Sequence, residues 1–156
     1  MNIIDDDKSK SGFSLVETLI AISLSLLVVT MIVAIVAPGL KYVRIIKNNR
    51  ILHSNTAFLM NQFDYWIKQG VAINVLTPST LEIKIRLPDS SIMTKTITKS
   101  GDNITLDGVP LTSDNVKVTN NQIFTKMAHS VRISLELAKG DQTFKAETTV
   151  AQRNSF

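Results

Sequence analysis

Cysteine is absent from this chain of 156 residues, which excludes a disulfide framework, a thiolate metal site and a cysteine nucleophile. Aromatic residues make up 6% and charged residues 19%, so the basic, aromatic-studded surface that binds nucleic acid is missing and no nucleic-acid partner is expected. Histidine occurs only at His53 and His129, and neither has carboxylate or histidine neighbours at ligand spacing. There is no glycine-rich phosphate loop and no nucleophile elbow. Asp102-Asn103 and Asp107-Gly108 approach the spacing of a calcium loop, but Ile104 stands where a ligand is needed, and turn chemistry accounts for them. No enzymatic activity, cofactor or metal is therefore expected.

The length allows one small domain beside a membrane segment, not two full domains. The formal charge is +4, yet residues 71–156 hold ten Lys and Arg against eight Asp and Glu. Much of the remaining excess sits at Lys41, Arg44, Lys47 and Arg50, directly after an apolar run. A basic neck in that position can contact anionic lipid headgroups.

The apolar run itself, residues 19–37, carries no charge. About twenty such residues cross a bilayer core as a helix. Ser23, Ser25 and Thr30 do not break it, because their hydroxyls can bond back to helix carbonyls. The run is too long for a signal-peptide core and no small-residue cleavage site follows it, so it is expected to stay in the mature protein. Pro38-Gly39 then predicts a kink or a locally melted turn, with the helix resuming beyond it.

From Leu40 to Gln69 the pattern becomes amphipathic. Ile45, Leu52, Leu59, Phe63 and Trp66 share a face, flanked by Phe58 and Ile67. Gly70 is the expected stop, with Lys68 in the last turn where a cation suits the helix dipole. Beyond Gly70 the period is two. Leu81, Ile83, Ile85 and Leu87 alternate with Glu82, Lys84 and Arg86. Further strands are predicted at residues 92–99, 104–106, 131–137 and 144–152, and a pair at 116–118 and 122–124 flanks an Asn120-Asn121 turn. The fold class is α+β: a long N-terminal helix whose second half packs on an antiparallel sheet.

The stretch Lys10-Ser11-Gly12-Phe13-Ser14-Leu15-Val16-Glu17 joins a polar leader to the apolar helix and places one carboxylate inside the apolar segment. An ionisable group at membrane depth is expensive and therefore a functional candidate. Leader, Gly, Phe, Glu and apolar run fall in one register, which closely resembles the N-terminus of type IV pilins and type II secretion pseudopilins. That resemblance implies cleavage by a prepilin peptidase between Gly12 and Phe13, N-methylation of Phe13, and assembly into a helical filament. It also implies partners: the peptidase, other pilin or pseudopilin subunits, and the inner-membrane assembly platform. The expected division is a cytoplasmic leader at 1–12, a transmembrane and filament-core helix at 13–40, an amphipathic helix at 41–70 and a sheet domain at 71–156.

Charge pairing gives Glu17 a role. The new amino group on Phe13 of one subunit and Glu17 of an incoming one can neutralise each other, and that penalises any axial register leaving them unmatched. Two features depart from the family pattern. Asp5, Asp6 and Asp7 make the leader acidic, and the four cations at 41–50 outnumber Lys8 and Lys10. A positive-inside count alone would turn the C-terminus inward, whereas the resemblance implies an extracytoplasmic C-terminal domain, and that orientation is the one expected. The disulfide-free sheet and the ending Thr149–Asn154 resemble J-type minor pseudopilins, so a minor filament subunit is expected. The competing expectation is a single-pass, membrane-anchored binding module that never joins a filament.

Overall fold

A computed structural model describes residues 14–152. One helix, α1, runs from Leu15 to Gln69. The chain divides into a unit up to Val43 and a unit from Arg44 onward. In the first unit every described residue is exposed, including Leu19, Leu26, Val29, Ile32 and Val36. Pro38 lies inside the helix; having no N–H, it leaves the carbonyl of Ala34 without its usual helical donor. The helix does not end there.

In the second unit the helix buries Leu52, Thr56, Leu59, Phe63 and Ile67. Their spacing of three and four residues keeps them on one face. Thr56 is a polar member of this face, and it is satisfied because its hydroxyl donates to the Leu52 carbonyl at 2.9 Å. The buried stripe therefore passes through Thr56 and Ile67. Trp66 lies half-buried beside it and Phe58 is exposed.

Nine strands follow among the described residues: β1 (Ala72–Thr77), β2 (Thr80–Arg86), β3 (Ile92–Ser100), β4 (Asn103–Leu106), β5 (Val109–Pro110), β6 (Lys117–Val118), β7 (Phe124–Lys126), β8 (Ser130–Lys139) and β9 (Gln142–Ala151). They form two antiparallel sheets. The first is a meander in the order β1-β2-β3-β4-β5; in the second, β8 pairs with β6, β7 and β9. Leu81, Ile83 and Ile85 of β2 point inward, as do Val131, Ile133, Leu135 and Leu137 of β8, and together with the helix stripe they make the core.

The sheets are stitched by backbone. The Pro78 carbonyl accepts from both Ile123 and Phe124 at 2.8 Å, and Val118 N–H donates to the Asp102 carbonyl at 2.8 Å. From the helix, Asn55 Oδ1 accepts from the Ser113 hydroxyl at 2.6 Å. Short β5 closes the first sheet with Pro110, a residue that cannot extend a ladder and so blunts the edge.

The two short strands that flank Asn120-Asn121 do not form a hairpin. β6 and β7 do not pair with each other; both lie along β8. Asn120 fills the gap between them with its side chain, which donates to the Ser134 carbonyl at 2.7 Å and accepts from Glu136 N–H at 3.0 Å. A side-chain amide carries the same donor and acceptor as a peptide group, so it substitutes for the missing strand residue. Lys99 Nζ, donating to the Asn120 carbonyl at 3.0 Å and to Asn121 Oδ1 at 2.7 Å, holds the bulged pair.

Gly70 ends the helix with its N–H donating to the carbonyls of Trp66 and Ile67. A Cβ at this position would lie 2.7 Å from Ile83 Cγ2, inside the buried core. Gly70→Ala is expected to destabilise the second unit by about 1–3 kcal/mol through overpacking. Thermal unfolding of the full chain in detergent checks this, and an unchanged midpoint would mean that the close approach is relaxed at no cost.

Candidate functional site

The helix start is built by two residues. Ser14 stands just before Leu15, and its Oγ accepts from Glu17 N–H at 3.2 Å. Glu17 Oε2 in turn accepts from Ser14 N–H at 3.4 Å. This reciprocal pair is a capping box, which satisfies two of the donors that every helix start leaves without partners. The carboxylate also lies in the first turn, where the helix dipole favours negative charge. Thr18 continues the pattern, with its hydroxyl donating to the Ser14 carbonyl at 3.1 Å.

Further along, each hydroxyl folds back on the helix. Ser23 Oγ donates to the Leu19 carbonyl, Ser25 Oγ to Ala21 and Thr30 Oγ1 to Leu27, each at 2.8 Å. These polar side chains thus present no unmet hydrogen-bonding need to an apolar environment. Glu17 and Lys41 bracket a charge-free stretch, Thr18–Leu40. At 1.5 Å per residue it is about 34 Å long, against a hydrocarbon core of about 30 Å. A helix of membrane-spanning length thus carries one carboxylate at its first turn.

Of the residues singled out from the sequence, Glu17, Pro38 and Gly39 fall within the described part, and Gly12 and Phe13 lie outside it. Ser14 was not singled out, although Ser14-Leu15-Val16-Glu17 is the S-x-x-E pattern of a capping box.

The remaining candidates have structural duties. His53 is exposed on the helix and its ring lies 4.0 Å from that of Phe144 in β9. Asp107 and Gly108 both have positive φ, 50° and 84°, and make the two-residue turn between β4 and β5, a conformation that favours Asp-Gly. Burial works against the charged form of Asp107. The Lys95 ammonium at 2.7 Å and the Thr96 N–H at 2.8 Å outweigh it and hold the carboxyl below its ordinary range. Asp102 is held below that range by its hydrogen bond and charge pairing with Lys117 at 2.9 Å. Both carboxylates are thus engaged by lysines, and among the described residues no group of three or more His, Asp or Glu gathers that could hold a metal.

Residues 7–37 match the family model described as the prokaryotic N-terminal methylation motif. The matched segment takes in Gly12-Phe13, the capping box and nearly all of the charge-free run. No curated protein and no solved structure matches the chain. The chain thus carries the N-terminal signal of pilin-type proteins, a structural and non-enzymatic class. The motif implies processing by a prepilin peptidase, and with the apolar helix it suggests anchoring in the inner membrane before assembly.

Proposed function

We propose that this chain is a structural subunit, of the minor kind, in a type IV pilus or type II secretion pseudopilus. In this reading the leader is cut after Gly12, Phe13 is methylated on its new amino group, and the apolar part of the helix becomes the filament core. The observation that carries the reading is the lone carboxylate of Glu17, inside the methylation motif at the first turn of the helix and directly ahead of an exposed, charge-free apolar stretch at 18–40. Neighbouring helices in a filament would bury that surface.

Glu17 then has two successive partners. In the free subunit its carboxylate is engaged by the Ser14 N–H at 3.4 Å, a long contact that is readily given up. On assembly it turns to the Phe13 amine of a neighbour. Pro38-Gly39 supplies a point of bending, since a helix that has lost one backbone hydrogen bond deforms more easily there. The C-terminal unit faces outward from the membrane. The resemblance of the disulfide-free sheet and of residues 149–154 to J-type minor pseudopilins supports the minor role in this reading.

Gly12 tests the processing step. A peptidase needs a close approach to the backbone, which a glycine permits. Gly12→Leu is expected to leave the chain at its precursor mass on co-expression with a prepilin peptidase, whereas the unaltered chain is shortened. Efficient shortening of the variant would place the cut elsewhere.

A further inference from the structure

No Asp or Glu occurs between Glu17 and Asp64, while Lys41, Arg44, Lys47 and Arg50 all fall in that interval. Cations on a helix are ordinarily matched by acids three or four residues away, and these have none within reach along the helix. Within the second unit Arg44, Lys47 and Arg50 are exposed, and none of the ion pairs among the described residues includes them. Successive steps of three residues turn the helix by about 60° short of a full circle, so the three side chains fan over about 120°. The same geometry puts Lys47 and Arg50 on the side of the helix opposite Leu52, Thr56, Leu59, Phe63 and Ile67, which face the core, with Arg44 on the flank. Tyr42, also exposed, precedes them, and tyrosine is a residue favoured where hydrocarbon gives way to headgroups.

We propose that Arg44, Lys47 and Arg50 form a binding surface for the phosphate groups of anionic lipids on the leaflet where the helix leaves the bilayer. The charge-free run ends at Leu40, so Arg44, about 6 Å further along the helix axis, falls at headgroup level, and Lys47 and Arg50, about 10 and 15 Å beyond Leu40, rise above it within the field of an anionic surface. Long basic side chains there can extend their charged ends into the headgroup layer while their stems lie along the helix. Lipid phosphates supply the negative charge that the chain withholds over this whole interval. This surface would hold the subunit upright at the membrane before assembly. The proposal rests on the membrane-anchored reading above.

The test uses the full chain in phosphatidylcholine vesicles at low protein density, with spin-labelled phosphatidylglycerol or phosphatidylcholine as the probe lipid. The wild-type chain is expected to immobilise phosphatidylglycerol several-fold more than phosphatidylcholine, an excess that shrinks at high salt. Each cation removed is expected to lower the preference by up to about five-fold. The triple variant Arg44→Gln, Lys47→Gln, Arg50→Gln should therefore show no preference, while Lys68→Gln, paired with Asp64 near the other end of the helix, should behave as wild type. Equal immobilisation of both lipids by an inserted wild-type chain overturns the proposal, as does a preference that survives in the triple variant. Cross-linking of the same three residues to carboxylates of a neighbouring subunit, with no lipid preference, assigns the patch to protein contacts instead. A chain that washes off the vesicles at alkaline pH defeats the anchoring reading itself, which keeps the two failures separate.

Discussion

Glu17→Ala is expected to be processed normally yet to enter filaments about a hundred-fold less well. An unmatched charge in the bilayer core costs on the order of 2–3 kcal/mol on insertion scales, and the variant leaves the neighbour's Phe13 amine in that condition. The capping box adds a second effect that must be separated from the first. Alanine removes the Oε2 acceptor of the Ser14 N–H, a loss worth about 0.5–1 kcal/mol to the first helical turn. Two further variants resolve this. Glu17→Gln retains a side chain able to close the box but has no charge, so it should fail in assembly as Ala does. Ser14→Ala breaks the box but keeps the carboxylate, so it should assemble nearly as wild type. Counting each variant in sheared filaments by immunoblot, alongside its processed fraction in the membrane, reads both steps. Normal assembly of Glu17→Gln would assign Glu17 a capping duty only.

The second large effect is expected at Phe63. Its side chain is fully buried and meets Phe124 of β7 edge-on, with ring centroids 5.7 Å apart. Phe63→Ala removes a large apolar volume and an aromatic pair from the contact between helix and sheets. Such changes cost about 3–5 kcal/mol, a large share of the 5–15 kcal/mol by which domains are stable. Phe58→Ala, one turn and a residue earlier, alters a side chain that is 46% exposed and should cost well under about 1 kcal/mol. Urea unfolding of the full chain in detergent micelles, followed by Trp66 fluorescence, measures both. Equal losses would mean that the buried face of the helix has been assigned wrongly.

These two residues also show how far the sequence could be read. The apolar run, the register of Gly12, Phe13 and Glu17, and the helix stop at Gly70 each depend on local chemistry and are visible in the string of residues. So is β2, whose Leu81, Ile83 and Ile85 alternate with polar neighbours. What was hidden depended on tertiary partners. Thr56 is buried by the sheets packed on its face of the helix, its hydroxyl being satisfied locally by the Leu52 carbonyl, and a stripe traced through apolar residues alone skips it and drifts to Trp66. The Asn120-Asn121 pair reads as a turn, yet Asn120 acts as a peptide substitute against β8, a role visible only once β8 lies beside it. β1 is half-buried on both faces over most of its length, so it shows no alternation to detect. Ser14 was legible as a capping residue and was passed over beside the more conspicuous Glu17.

The basic interval shows a related limit. Positive charges at 41–50 are plain in the sequence, but the exposure of Arg44, Lys47 and Arg50 and their absence from ion pairs among the described residues come from the fold. Charge alone marks a region, and burial shows which way it faces.

The central claim is that the first twelve residues are removed and Phe13 becomes a methylated N-terminus. The most direct measurement is the intact mass of the membrane-extracted protein, expressed with and without a prepilin peptidase. The account predicts loss of residues 1–12 and gain of one methyl group only when the peptidase is present. An unshortened chain in both samples would contradict it and leave the helix as an ordinary membrane anchor.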